Sequence, residues 1–276
     1  SDLEEGQYLG HVSTQLLEDG QTLLAVYPKG HGRGPIVYKR SPDGGRSWSE
    51  RLPVPESWAT SLEVPTLFRV STPDGPHRLV MFSGLYPIRR AFSDDDGATW
   101  SFPRVLLDLA IDDRDAGILE TAKGTLLATT FSSLAYEYQF KNGNINKWDA
   151  ARQARWRGAH HRISEAERKT QLGTWMLRST DGGLTWSTPY DSIVNSPHGP
   201  TQLADGRQLY AGKDLWKSGK WIGVCDSTDD GRSWKKLAQI PTRPGDDPGE
   251  YHELHAVEAA NDTIVAHIRN HNSANS

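Results

Sequence analysis

An eight-residue pattern, S-x-D-x-G-x-[ST]-W, occurs four times in this chain. The copies, which we call boxes, begin at Ser41, Ser93, Ser179 and Ser227. In each box the aspartate is able to bond amides of its own turn, the glycine allows a positive φ, and the tryptophan anchors the next strand. A turn that recurs in this way indicates a repeat architecture with one box per structural unit.

A second periodic signal lies between the boxes. Short turns flanked by β-forming runs are centred at Gly20, Gly75, Gly124, Gly206 and Asp262. Asp-Gly and related pairs between apolar runs predict β-hairpins. If each box closes a second hairpin, every unit holds four antiparallel strands in about 50 residues, which is typical of a propeller blade. The predicted fold class is therefore all-β, a β-propeller of four-stranded antiparallel blades.

The boxes are not evenly spaced. Their intervals are 52 residues (93 − 41), 86 (179 − 93) and 48 (227 − 179), so the middle interval holds an extra segment. We place it at residues 134–172, as a partly helical insertion in the third blade. Ser164 and Glu167 form a capping box there, and the run KWDAARQARW also favours a helix. We expect the insertion to act as a rim or lid over the site.

The repeat count predicts a single propeller domain over residues 1–276 that is incomplete at its C-terminus. A box begins 18 to 21 residues after its hairpin turn in the first two units (93 − 75 and 41 − 20), which places a fifth box near residues 280–283. The sequence then covers about four and a half blades. Because an unclosed ring leaves open strand edges, we expect the natural protein to continue.

Composition excludes several partners. The formal charge of −4 and the pI of about 6.2 give no basic footprint for nucleic acid. No apolar run approaches the roughly 18 residues needed to span a membrane.

The single Cys225 excludes an internal disulfide and is expected to be a small packed thiol in a strand. A secreted or periplasmic bacterial location is favoured over a cytoplasmic one, and the sequence leaves the oligomeric state open.

Polar residues concentrate on one face of the predicted propeller. The tight turns and the boxes occupy the other face, which leaves the wide loops and the crossings between blades to surround the channel mouth, where ligand sites are common. Solvated surface loops are the alternative explanation for any single residue. The candidate substrate-binding residues are His11, Lys29, His31, Arg33, Glu63, Arg89, His198, Tyr251, His252 and His271. The candidate catalytic residues are Asp115, Glu253 and Arg269.

The tetrapeptide HELH superficially suggests metal ligands. Its two histidines, His252 and His255, point to opposite faces of a regular strand, and their spacing matches no zinc signature. No metal and no other cofactor is predicted.

Boxes on blades of this period resemble the Asp-box (bacterial neuraminidase repeat) proteins, above all the sialidases. The run HELHAVEAANDTIVAHIRN adds a sharper similarity, because it places Glu253 and Arg269 16 residues apart (269 − 253), at the start of one inner strand and the end of the next. The resemblance implies a six-bladed propeller and an exo-glycosidase acting on carbohydrate. By this resemblance, Glu253 assists a tyrosine nucleophile, and Arg269 belongs to an arginine triad that binds the carboxylate of the sugar. A mutual ion pair at a blade edge is the structural alternative.

The chain also departs from the sialidase pattern. His11 lies nearest the place of a triad arginine in the first strand, and Lys29, His31 and Arg33 occupy the loop that carries the family's acid/base aspartate. Asp115 is a candidate replacement acid; capping a turn is its alternative role. The predicted function is a hydrolase that releases a terminal, acidic sugar. The alternatives are a glycan-binding propeller without catalysis and a polysaccharide lyase that uses His or Tyr as base.

Overall fold

The computed structural model describes residues 5–272 except for 31–33, 61–63, 85–86, 110 and 217–219. Its strands form five antiparallel sheets that follow one another along the chain, and the first four are simple meanders. Sheet 1 contains β1 (Ser13–Leu16), β2 (Leu23–Pro28) and β3 (Ile36–Ser41). Sheet 2 contains β4 (Thr66–Val70), β5 (Arg78–Ser83), β6 (Ile88–Ser93) and β7 (Arg104–Leu107).

Sheets 3 and 4 repeat this meander, and sheet 5 is a two-stranded hairpin. Sheet 3 contains β8 (Asp112–Glu120), β9 (Leu126–Ser133), β10 (Thr174–Ser179) and β11 (Tyr190–Asp191). Sheet 4 contains β12 (Thr201–Gln202), β13 (Gln208–Lys213), β14 (Ile222–Ser227) and β15 (Lys235–Gln239). Sheet 5 contains β16 (Tyr251–Glu258) and β17 (Ile264–Asn270). Sheets 2, 3 and 4 have the four strands that the repeat predicts.

Sheet 1 has three strands among the described residues. The segment after the first box follows β3 for a short distance, with the Ser49 and Leu52 amides donating to the Arg40 and Tyr38 carbonyls at 2.9 Å each. The pairing ends there, before a fourth strand forms.

Each box is closed by a dense set of side-chain bonds. In the first box the Ser41 hydroxyl donates to Asp43 Oδ1 at 2.9 Å and accepts from the Gly45 amide at 2.8 Å. Asp43 also accepts from the amide and the hydroxyl of Ser47, at 2.8 and 2.6 Å. The Trp48 indole donates to the Gly45 carbonyl at 3.1 Å. The same aspartate contacts recur at Asp95, Asp181 and Asp229.

These bonds predict acid sensitivity. Hydrogen bonds from the Ser47 side chain and amide lower the pKa of Asp43 from 3.8 to about 2. A carboxylate with a depressed pKa contributes stability that is fully present above its unfolded pKa and is lost as the pH falls through the folded value. We therefore expect the urea unfolding midpoint to drop between about pH 4 and pH 2, and Asp43→Asn to flatten that slope. An equally steep slope in the variant would contradict the assignment.

Neighbouring sheets are joined at their innermost strands by a repeated side-chain contact. A Gln or Glu near the end of an inner strand accepts a hydrogen bond from a backbone amide of the adjacent sheet, at 2.6–3.0 Å. The pairs are Gln15 with the Arg69 amide, Glu120 with that of Ser71, Gln202 with that of Ala122, and Glu258 with that of Ala204. Since each bond joins consecutive sheets, the inner strands lie side by side in chain order.

The core consists of apolar layers between successive sheets. Trp58 is 2% exposed and packs with Tyr38 and Leu67 between sheets 1 and 2. Comparable clusters fill the spaces between sheets 2 and 3, 3 and 4, and 4 and 5. Cys225 lies in the layer between sheets 3 and 4, where burial raises the pKa of its thiol to about 12. This confirms that it is a packed side chain.

Helical segments fill the stretch between β9 and β10. They are a 3-10 helix (Ala135–Lys147), α1 (Ala150–His160) and α2 (Glu165–Thr170). The predicted capping box is present, with Ser164 and Glu167 bonding each other's amides at 3.2 and 2.8 Å. Further 3-10 turns are Glu56–Thr60, Pro248–Glu250 and Ala260–Asp262. Among the described residues, no helix combines the length and apolar character required to cross a bilayer.

Candidate functional site

The β16–β17 hairpin carries the candidate catalytic pair. Arg269 Nη1 donates to Glu253 Oε1 at 2.7 Å, and the two side chains are 55% and 40% exposed. Both residues lie far from the tight turn at Ala260–Asp262 that joins the strands. In sheet 3 the corresponding turn lies beside Ser179, the first residue of a box, because Leu126 pairs with both Glu120 and Ser179. The pair is therefore at the opposite end from the boxes, as predicted.

A bulge sets the direction of the Glu253 side chain. The register passes from His252–Arg269 to His255–His267, so two residues of β16 oppose one of β17. Glu253 has a φ of +50°, a left-handed conformation that costs a non-glycine residue free energy. Bulges and such strained residues concentrate near functional sites, because they redirect a side chain out of the sheet.

Sheet 3 repeats the bulge at a second acidic residue. Its register passes from Arg114–Phe131 to Gly117–Thr129, so Asp115 and Ala116 oppose Thr130. Glu120 and Glu258 are the glutamates that join their sheets to the preceding ones. Asp115 lies five residues before Glu120, and Glu253 lies five residues before Glu258. The backbone of Asp115 thus has the same register position in sheet 3 as that of Glu253 in sheet 5.

Lys213 lies beside the start of β16, and sequence analysis missed it. Its side chain is 8% exposed, and its Nζ donates to the Gly249 carbonyl at 2.7 Å and lies 3.2 Å from His252 Nδ1. Desolvation by burial lowers the pKa of Lys213. The repeat contained a signal for Lys213. Gln208 and Ile264 pair with the joining residues Gln202 and Glu258. Lys213 follows Gln208 by five residues, as Arg269 follows Ile264 by five.

A histidine pair joins the turn before β12 to β16. The rings of His198 and His255 are 5.6 Å apart and tilted by 62°. Desolvation, followed by the charges of His198 and His267, lowers the pKa of His255, so its ring is neutral at neutral pH. His255 Nδ1 is buried and has no hydrogen-bond partner among the described residues. His252, by contrast, packs against His271 at 5.0 Å, so the two HELH histidines belong to different clusters.

The remaining predicted residues are dispersed. Tyr251 is 6% exposed, and its hydroxyl donates to Asp246 Oδ2 at 2.5 Å. Its ring therefore packs in the core between sheets 4 and 5. Arg89 lies in β6 beside Gly84, and exposed His11 stacks edge-on against Tyr8. Lys29 bridges to Leu9 through its backbone. His31, Arg33 and Glu63 lie outside the described residues.

The arrangement therefore combines a carboxylate with two kinds of cation and neutral imidazoles. The Arg269 guanidinium offers a planar fork for a carboxylate, the Lys213 ammonium is a point charge, and Glu253 is an exposed hydrogen-bond acceptor. These are the chemical groups required to bind an anionic, hydroxylated ligand and to accept a proton from a nucleophile.

Comparison with known proteins agrees with this architecture. The BNR/Asp-box repeat family model matches residues 177–188, and no curated protein matches the sequence. An α-L-arabinanase from Penicillium chrysogenum aligns with a TM-score of 0.53 and 14% identity, over 94% of this chain and 74% of that one. The NanB sialidase from Streptococcus pneumoniae aligns with a TM-score of 0.51 and 16% identity, over 87% of this chain and 33% of that one.

A third solved structure, the α-L-arabinofuranosidase Arb93A from Fusarium graminearum, gives a TM-score of 0.50 and 15% identity, over 83% of this chain and 66% of that one. The chain has the fold of the sialidase-like propeller enzymes. It spans 33% of the sialidase and 66% of the arabinofuranosidase. The predicted resemblance is confirmed at the level of repeat and fold. The three structural relatives are glycoside hydrolases whose substrates differ.

Proposed function

We propose that this sialidase-like propeller is a glycoside hydrolase that releases a terminal, acidic sugar from glycans. The observation that carries the proposal is the 2.7 Å contact between Glu253 and Arg269 at the open end of the inner strands. Glu253 is the carboxylate that takes a proton from the nucleophile, and Arg269 binds the carboxylate of the sugar. A phenol nucleophile needs such a base, since it is weak at its ordinary pKa.

The charges around the pair support an acidic substrate. Only Nη1 of Arg269 bonds Glu253 in the described residues, which leaves the other guanidinium N–H groups for a ligand carboxylate. Lys213 adds a second cation one sheet away. A neutral sugar such as arabinose, named in two of the structural relatives, makes no use of these charges.

The proposal is tested with chromogenic glycosides of a sialic acid, a uronic acid and arabinose. We expect release from an acidic glycoside, and Arg269→Ala should raise its KM at least about tenfold, because a charge-assisted bidentate contact is lost. Arg269→Lys should restore little, since an ammonium lacks the planar fork. Wild-type values of KM in the alanine variant would contradict the role of Arg269.

The other two functions are outcomes of the same assay. Saturable binding of an acidic glycan by the unmodified protein, without release of any product, would indicate a glycan-binding propeller. In a lyase acting on a uronate, His255, which packs against His198, would be the base. A product with ultraviolet absorbance from a new double bond would indicate that reaction.

A further inference from the structure

Three side chains converge at the open end of the β16–β17 hairpin, beyond the Glu253–Arg269 pair. Glu250 ends the 3-10 turn that leads into β16, and His252 is the second residue of that strand. His271 is opposite Glu250, because its amide donates to the Glu250 carbonyl at 2.9 Å. This pairing brings His271 close to Glu250 and His252.

The distances match a chelating set. One carboxylate oxygen of Glu250 and one ring nitrogen each of His252 and His271 lie within 4.8 Å of one another. The imidazole rings are 5.0 Å apart and tilted by 44°. Two imidazoles and one carboxylate are the protein ligands of many catalytic zinc sites, in which the fourth position is left to water or substrate.

The hairpin end that carries the three ligands is held in place. Asp247 precedes Glu250, and its amide donates to Asn272 Oδ1 at 2.9 Å, while Asn272 donates back to the Asp247 carbonyl at 3.3 Å. Asn270 Oδ1 accepts from the Asn272 amide at 2.9 Å. These bonds tie both strands together around the cluster, so little ordering is needed before a ligand binds.

We propose that Glu250, His252 and His271 bind a divalent transition-metal ion of the Zn²⁺ type, independently of the hydrolase activity proposed above.

Lys213 competes with this ion. Its ammonium lies 3.2 Å from His252 Nδ1, and Glu250 attracts it. A bound dication therefore has to weaken the contact between Lys213 and His252. Repulsion between the ion and the Lys213 ammonium lowers the affinity for the metal. Removing the ammonium should therefore strengthen metal binding.

The test is calorimetric titration of the full chain, freed of metal with chelator, with Zn²⁺ and with Co²⁺. We expect one equivalent to bind. Either His271→Ala or Glu250→Gln should weaken binding by about 100-fold, since losing an outer-shell partner alone costs 10–100-fold. His267→Ala is the matched control, because His267 is an exposed histidine of the same strand outside the cluster, and it should leave Kd unchanged.

Lys213→Met should tighten binding at least about tenfold. Absence of binding to the unmodified chain overturns the proposal, as does equal weakening by His271→Ala and His267→Ala. Unchanged or weaker binding by a folded Lys213→Met variant overturns the competition. Because His271 and His267 are both exposed, circular dichroism should show both alanine variants folded. Failure of the hydrolase assay leaves each of these binding outcomes unaffected.

Discussion

Replacing Glu253 by glutamine should lower kcat by at least about 100-fold on any glycoside that the protein hydrolyses. Glutamine keeps the shape of the side chain and an oxygen that accepts from Arg269, but it cannot take a proton, and general-base catalysis contributes roughly 10²–10⁴-fold. KM should change little, because the binding contacts survive. Initial-rate kinetics over a range of substrate concentrations separate the two parameters.

Glu258→Gln is the matched control for this prediction. It makes the same chemical change on the same strand, five residues nearer the box face. Glu258 accepts a hydrogen bond from the Ala204 amide at 2.6 Å, and Gln15 and Gln202 perform that task in other sheets with amide oxygens. The control should keep both its turnover and its stability. If both variants lose activity equally, or neither does, Glu253 is not the base.

Local features of the fold could be predicted because they depend on neighbouring residues. A box folds through contacts within eight residues, so the bonds of Asp43 follow from the sequence alone. The hairpin at Asn261 and Asp262 is another example, since both residues adopt positive φ, at 61° and 58°, in a tight turn. Sheets 2 to 4 confirm the four-stranded unit, while a count of six blades stays a prediction.

The site could be predicted only in part, because its contacts cross between sheets. The Glu253–Arg269 contact lies within one hairpin, so its spacing could be read from the sequence. The contact of Lys213 with His252 depends on how sheet 4 packs on sheet 5. The bulge at Glu253 leaves no mark in the sequence pattern, yet it shifts the register of β16 by one residue between His252 and His255.

Asp230→Ala should produce the largest loss of stability, about 3 kcal/mol in the free energy of unfolding. Asp230 belongs to the fourth box, and its side chain is 9% exposed. It accepts from Arg178 Nη2 at 2.6 Å and from the hydroxyls of Thr121 and Thr125 at 2.8 and 2.6 Å. All three donors belong to sheet 3 or its hairpin turn, so this carboxylate joins two sheets at the box face. Removing it leaves a guanidinium that is 17% exposed without its counter-ion, and breaking buried pairs costs about 3–5 kcal/mol.

Asp96→Ala separates this ionic contribution from backbone strain. Asp96 holds the same position in the second box and has a φ of +55°, against +63° at Asp230, but it is exposed. Both substitutions place alanine in the left-handed region, so the difference between their unfolding free energies in urea reports the Arg178 network. That difference should be at least about 2 kcal/mol, and removing Arg178 as well, as in Arg178→Met with Asp230→Ala, should recover part of it, since no uncompensated cation then remains. Equal losses in the two alanine variants would assign the effect to the turn conformation alone.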